Sequence, residues 1–295
     1  MVAIRDAATV MLVRDDAEGA LEVFMLRRNL QSDFVGGAYV FPGGGVDDHD
    51  RVADLEAVCQ GRSDRDASAQ LGVDRGGLAF WVAAIRESYE EAGVLLAYES
   101  DQLIRFDDPE VAERYAAHRV AVDQGVRPLI DVCRAEGLRL AVDTMYYFSH
   151  WITPEGPTRR YDTRFFVARA PAGQTPLHDD REVIANLWIR PSDALARYEA
   201  GDFDMIFPTV RSLIAIERFA SSDELLAAAA AIGDVPAILP RIVEDEGGGG
   251  VRIVLPGDPG YDDLVSASIP EGLSLSRLRP VDVSGGSRHA PAQGT

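Results

Sequence analysis

Glu87, Glu90 and Glu91 stand at positions i, i+3 and i+4, directly after Arg86. On a helix that spacing puts three carboxylates within an arc of roughly 100° on one face. Carboxylates so close repel one another by a few tenths of a kcal/mol per pair, a cost with no return unless a cation sits among them. Hard oxygen donors suit Mg²⁺ or Mn²⁺, and Mg²⁺ characteristically combines one or two carboxylates with waters and substrate phosphates. A solvated acidic face is the plain alternative for any Glu-Glu pair. The string Phe41-Pro42-Gly43-Gly44 upstream argues against it. Glycines there permit a tight backbone turn and the close approach of a carbonyl or amide to a metal or phosphate.

The carboxylates need a helix to carry them. Leu78, Trp81, Val82, Ile85, Tyr89 and Ala92 recur with helical period, and Gly93 follows as a stop, which predicts a helix over Leu78–Ala92 with its apolar stripe opposite the glutamates. Apolar runs at 7–13 and 21–27, split by a polar turn, predict paired strands, and a third short strand at 38–41 leads into the glycines. Residues 47–77 are charged and weakly periodic, which suggests a looped-out lobe between the glycine turn and the helix. Further helices are expected at 109–119 and 127–136, then strands at 143–152, 160–169 and 183–190, then helices at 193–200 and 209–219. Ser221 and Glu224 have capping-box spacing ahead of a helix at 225–232. A hairpin, 238–244 with 251–255, is joined by a glycine run that lacks the Lys-Ser/Thr of a phosphate loop and reads as a flexible turn. From about 270 the chain reads as a flexible tail. This order of elements suggests a mixed sheet between helices.

A formal charge of −19 over 295 residues disfavours nucleic acid as a partner, while a small anionic substrate needs only local cation or a metal. The 46% hydrophobic content suits a globular protein, and no apolar run approaches the ~18 residues of a membrane helix. The first fourteen residues read as a strand and not a secretory signal. Two cysteines form no framework, so a reducing, cytoplasmic location is expected. The five histidines lack ligand spacing and none is assigned. Oligomeric state is not legible.

The stretch Arg86-Glu87-Ser88-Tyr89-Glu90-Glu91-Ala92-Gly93-Val94 resembles the second half of the Nudix box, with Ser88 where a hydrophobic residue is usual. Gly44 matches the opening glycine, and Asp50 stands where the pattern has glutamate. Asp50 is thus either a member of the box or a turn residue. Thirty-five residues, Arg51 to Ile85, replace the usual seven, an insertion of twenty-eight. A split box of this kind is similar to that of the mammalian peroxisomal coenzyme A diphosphatase group of the Nudix superfamily. The strings Trp151-Ile152-Thr153-Pro154-Glu155 and Arg160-Tyr161-Asp162-Thr163-Arg164-Phe165-Phe166 also look like that group.

The resemblance implies a Nudix-type α/β/α sandwich with a mixed sheet, an insertion inside the box and extra helices. It implies residues 1–220 as the hydrolase domain, with insertions at about 51–77 and 100–137; the helix and hairpin at 221–269 read as an extension that the resemblance does not cover. It implies hydrolysis of the diphosphate bond of a small nucleotide derivative with Mg²⁺ or Mn²⁺. Glu90, Glu91 and Gly43 would hold the metal, Glu87 would be a further ligand or the base, and Arg86 would orient them. A later glutamate is often recruited, and Glu182 is the candidate, with Asp179, Asp180 and Glu155 competing. Substrate contacts are expected from Arg27, Arg28, Phe41, Gly44, Arg164 and Trp151. Coenzyme A (CoA) or acyl-CoA is the expected substrate. ADP-ribose, NADH and dinucleoside polyphosphates are the alternatives, since the motif fixes the reaction and not the leaving group. A catalytically idle nucleotide-binding module is the alternative of another class.

Overall fold

The computed structural model describes residues 2–30, 36–178, 181–244, 251–259 and 261–263. The glycine run at 247–250, the tail and the candidates Asp179 and Asp180 lie outside them. The apolar runs form β1 (Ile4–Asp15) and β2 (Leu21–Arg28), an antiparallel pair. Two short strands follow, β3 (Tyr39–Val40) and β4 (Gly43–Gly45). The expected glycine turn is therefore itself a strand, paired with β1 through Thr9↔Gly43 and Ala7↔Gly45. The segment that reads as a polar lobe holds 3₁₀ turns at Asp48–Arg51 and Leu55–Val58 and a helix, α1 (Asp64–Leu71). It buries Leu55, Val58, Cys59, Ala67 and Leu71 in the core, so weak periodicity concealed real packing.

The central helix α2 (Leu78–Ala92) has the predicted bounds, and Gly93 ends it at φ 67°, a left-handed conformation that glycine adopts without a Cβ penalty. Its first turn has no cap from Gly77. Asp64 of the insertion substitutes, accepting from the backbone N–H of Leu78 at 3.0 Å and of Gly76 at 2.9 Å. Asp64→Ala is expected to lower stability by about 1–2 kcal/mol, the usual worth of a charged cap, read as a shift in the urea midpoint at constant slope.

Next come β5 (Ala97–Glu99), β6 (Gln102–Leu103), α3 (Pro109–Asp123), α4 (Leu129–Glu136) and β7 (Leu138–Leu140), with the three strands in a small sheet ordered β6-β5-β7. Asp108 caps α3, which continues past the expected end at Arg119 to Asp123. Strands β8 (Met145–Ile152), β9 (Arg160–Arg169) and β10 (Val183–Ile189) return to the main sheet. Helices α5 (Pro191–Ala200), α6 (Phe207–Ile216) and α7 (Ser222–Ala230) follow, with Ser221 capping α7 by accepting from the N–H of Glu224. Finally β11 (Ala237–Ile238) adds to β8, and β12 (Arg241–Glu244) pairs with β13 (Val251–Val254).

The main sheet runs β10-β2-β1-β9-β8-β11, with β3 on β2 and β4 on β1. It is mixed, because β1–β9 and β8–β11 are parallel and the other pairs antiparallel. Both faces are buried, which is why its strands read as near-continuous apolar runs. Ala8, Val10 and Leu12 of β1 pack with α2, while Met11 and Val13 pack with α5, α6 and α7. The result is the expected α/β/α sandwich. Among the described residues no helix is long and apolar enough to cross a membrane.

Candidate active site

The site begins with β4. In an antiparallel ladder alternate residues turn their N–H and C=O away from the partner strand. Val10 donates to the Pro42 carbonyl and Val46 to that of Asp6, so Gly43 and Gly45 are the pair turned outward. The Gly43 N–H donates to Glu91 Oε2 at 3.0 Å, and the Gly45 carbonyl accepts from Arg86 Nη2 at 2.7 Å. The two halves of the split box therefore meet across 48 residues of sequence. A Cβ on Gly43 would lie 2.6 Å from the Ala8 carbonyl oxygen and 2.7 Å from Thr9 Cα, and one on Gly44 would lie 2.4 Å from Glu87 Oε1. Both glycines are there because nothing larger fits. Gly44→Ala should swing the Glu87 carboxylate off its place and cut turnover sharply while the fold persists, since the obstructing atoms end a side chain. Unchanged kcat in that variant would show that the position of Glu87 is not used.

Arg86 is the hub. Its side chain is 8% exposed. Nη1 donates to Glu87 Oε1 at 2.9 Å and Glu90 Oε2 at 2.8 Å; Nε donates to Asp50 Oδ1 at 3.0 Å and Nη2 to Asp50 Oδ2 at 3.0 Å. Asp50 is buried and also accepts from the Asp47 N–H at 2.9 Å. Asp50 is therefore no solvent-facing turn residue; it fixes the guanidinium from behind. Burial works against charge on Arg86, but Glu87, Asp50 and Glu90 more than offset it and hold the guanidinium protonated.

One guanidinium faces three largely buried carboxylates, Asp50, Glu87 and Glu90, with the exposed Asp47 at 3.7 Å, and Glu91 adds a further buried one. Burial pushes Glu90 up to about 7, only partly countered by Arg86. Glu87 and Glu91 are also pushed up, by burial first; Arg86 opposes the shift at Glu87, and the charge on Glu87 reinforces it at Glu91. This is a donor set short of positive charge. Among the described residues no three acidic, His or Cys side chains converge into a preformed cage. Glu87 and Glu90 instead lean on Arg86, and Glu91 on the Gly43 amide. A divalent ion that takes one or two carboxylates and completes its shell with water and phosphate fits such a set.

These groups line a cavity of about 530 Å³, together with Phe41, Arg28, Glu182, Trp151 and Arg159. Glu182 leads into β10, where Val183 pairs with Arg28 and the Glu182 carbonyl accepts from Asn29 at 2.8 Å. Both Arg28 and Glu182 are near enough to act on the charge of Glu91. Glu155 is exposed and does not line the cavity. Two expected contacts are not brought in. Arg27 donates to the Gly37 carbonyl at 3.3 Å and lies over the Tyr39 ring. Arg164 is buried on the opposite face of β9, paired with Asp162 and over the Phe80 ring. Residues of the other parity, Tyr161, Thr163 and Phe165, face the cavity. Sequence reasoning also missed Asp123, at the end of α3, and the apolar group Ile206, Phe207, Pro240, Ile242 and Ile253.

A glycine strand clipped over a carboxylate-bearing helix, in an α/β/α sandwich, is the build of a Nudix hydrolase. The chain belongs to that superfamily, and within it to the family of the NUDT19 Nudix domain, whose model matches residues 62–216. That match begins after β4, so the joining of the two halves of the box rests on the geometry above. The chain is 26% identical over 236 residues to the acyl-coenzyme A diphosphatase NUDT19 of Xenopus laevis, covering 69% of this chain and 62% of that protein. It is 28% identical over 246 residues to the Homo sapiens protein of the same name, covering 71% and 64%. The chain thus spans a little under two thirds of these relatives. A solved NUDIX hydrolase from Alicyclobacillus acidocaldarius superposes with a TM-score of 0.63 at 27% identity, over 77% of this chain and 97% of that one.

Proposed function

We propose that the chain is a Mg²⁺- or Mn²⁺-dependent hydrolase of the diphosphate bond of a nucleoside diphosphate derivative, with CoA or acyl-CoA as substrate. The observation that carries this reading is the joined box: Gly43 on Glu91, Gly44 against Glu87, and Arg86 gathering Glu87, Glu90 and Asp50. Glu90 and Glu91 hold the metal, with the outward-turned Gly43 carbonyl beside them. When bound, the metal polarises the phosphoryl oxygens and supplies hydroxide from water near neutral pH. Glu87 is a further ligand or the base that takes the proton of the attacking water, and a carboxyl raised by burial is suited to that exchange. Glu182, near enough to act on the charge of Glu91, is the second candidate base. Arg86 and Asp50 position the carboxylates. Arg28 meets the phosphates, where a planar guanidinium can bond two oxygens at once. Phe41 and Trp151 supply apolar walls. Water attacks one phosphorus, the bridging P–O bond breaks, and the two halves leave as phosphate monoesters. For CoA these are 3′,5′-ADP and 4′-phosphopantetheine.

Two things support the choice of CoA: the acyl-coenzyme A diphosphatase relatives and the apolar end of the cavity, which a second nucleoside would not need. On the same reading residues 1–220 are the hydrolase domain and residues 221–269 an extension, of which Pro240, Ile242 and Ile253 line the cavity. The test is incubation with Mg²⁺ and a panel of CoA, acetyl-CoA, ADP-ribose, NADH and diadenosine polyphosphates, with products resolved by mass in ¹⁸O-labelled water. CoA species should turn over fastest and only with metal present. Faster cleavage of ADP-ribose or NADH would remove CoA as substrate. No cleavage of any diphosphate, with binding retained, would make the chain an idle nucleotide-binding module.

A further inference from the structure

The polarity of the cavity is segregated, and the strand register measures how far apart its ends are. Gly45 pairs with Ala7, Ala7 with Thr163, Thr163 with Trp151, and Trp151 with Ile238. These residues form one row across the sheet. At about 4.8 Å per strand, the β8 position of Trp151 is about 14 Å from the β4 end where the carboxylates sit. The floor between is Ala7, Thr9, Thr163 and Phe165. Beyond Trp151 the wall is apolar. Phe207 meets Trp151 edge to face at 5.8 Å. The chain leaving β11 brings Pro240 and then the cross-strand pair Ile242↔Ile253 to the same cavity.

We infer that the C-terminal hairpin β12–β13 is an acyl-selecting wall: Ile242 and Ile253, with Pro240, receive the apolar group carried at the thiol end of the substrate. The inference rests on CoA being the substrate. With the diphosphate at the carboxylates, the pantetheine arm is a chain of three amide-linked units. Because pantoic acid and β-alanine each have one backbone carbon more than an α-amino acid, the extended arm exceeds three times ~3.5 Å and spans about 15 Å, which carries the thioester to the neighbourhood of Trp151. The acyl chain then has the hairpin ahead of it. Among the described residues, those that line the cavity on the hairpin side of Trp151 are apolar, namely Phe207, Pro240, Ile242 and Ile253, while Arg159 lines it from the β8–β9 connection. Each methylene fully buried against such a wall raises affinity by a factor of about four.

The experiment compares kcat/KM for CoA, acetyl-CoA, hexanoyl-CoA and lauroyl-CoA in the wild type and in Ile253→Asp, with Ile253→Ala as the variant that keeps the hairpin if the charge unfolds it. In the wild type, kcat/KM should rise roughly ten-fold or more from acetyl- to hexanoyl-CoA, carried by KM. Ile253→Asp should flatten that rise to within about two-fold, and Ile253→Ala should reduce it. The readout is the dependence on chain length within each protein, so a general loss of activity does not enter it. A wild type indifferent to chain length, or variants with the wild-type dependence, would overturn the inference and leave CoA hydrolysis standing. Failure to cleave any CoA species while other diphosphates are cleaved would remove the substrate reading and this inference with it.

Discussion

Glu91→Gln is expected to lower turnover by about three orders of magnitude without lowering the melting temperature of the metal-free protein. Glutamine keeps the shape, and its carbonyl oxygen can still accept the Gly43 N–H that Glu91 accepts at 3.0 Å. What it removes is a carboxylate held above its ordinary range by burial and by the charge on Glu87. A carboxyl raised in the folded state binds a proton that the unfolded chain does not. Its contribution is therefore fully present below the unfolded value and is lost as pH rises through the folded one. For Glu90 that window runs from 4.5 to about 7, and the upward shifts of Glu87 and Glu91 act in the same direction. The chelated wild type should accordingly melt lower at pH 8 than at pH 6. Mg²⁺ should restore more stability at pH 8, because it competes with protons for the same oxygens. In Glu91→Gln the pH slope should be shallower and the Mg²⁺ effect small. Thermal melts at both pH values, with chelator and with Mg²⁺, check this beside the kinetics. A variant that retains turnover would take Glu91 out of the metal site, and one that melts well below the wild type in chelator would make its carboxylate structural.

The helix and its charges were legible because helical period and the spacing of Glu87, Glu90 and Glu91 are properties of short range. α2 matched its expected bounds, and β1, β2, β8, β9 and β10 came within a few residues of theirs. What the sequence could not carry was the surroundings of that face. A face opposite an apolar stripe reads as solvated, yet Arg86 and Glu91 are buried, because β4 closes over them. Nothing local announces that three successive glycines will be a strand, since glycine has no β preference; the reason lies in Ala8, Thr9 and Glu87, which leave no room for a Cβ at Gly43 or Gly44. Arg164 shows a different limit. The alternation along β9 was readable, but both faces of that strand are buried, so the pattern did not say which parity meets the cavity. Asp50 was ambiguous because its partner lies 36 residues away. The hairpin itself was expected, but not its place at the cavity, which depends on β11 joining β8.

Arg86→Met should destabilise the protein by about 3–5 kcal/mol near neutral pH, more than any other single substitution in the site. The side chain is of similar length and suits a buried position, so the loss is not one of volume. It is the removal of a guanidinium that reaches Asp50, Glu87, Glu90 and the Gly45 carbonyl at 2.7–3.0 Å. Three carboxylates would remain crowded in a buried place with no countercharge, and each must take up a proton or repel its neighbours. The deficit should therefore shrink toward pH 5, where protonation relieves it, and grow toward pH 8. Arg86→Lys separates charge from geometry. An ammonium is a point charge on a flexible stem and cannot bond Asp50 behind it and both glutamates ahead in one planar fork. It should return part of the stability and little of the activity. Because Gly45 is one of the acceptors, loss of the fork should also loosen β4 from α2, seen as faster amide exchange at Gly43 in the folded variant. Urea denaturation at pH 5 and pH 8 measures the stability terms. If Arg86→Met melts within about 2 °C of the wild type at pH 8, then the two halves of the box are held by the packing of β4 on β1 and not by this ion network.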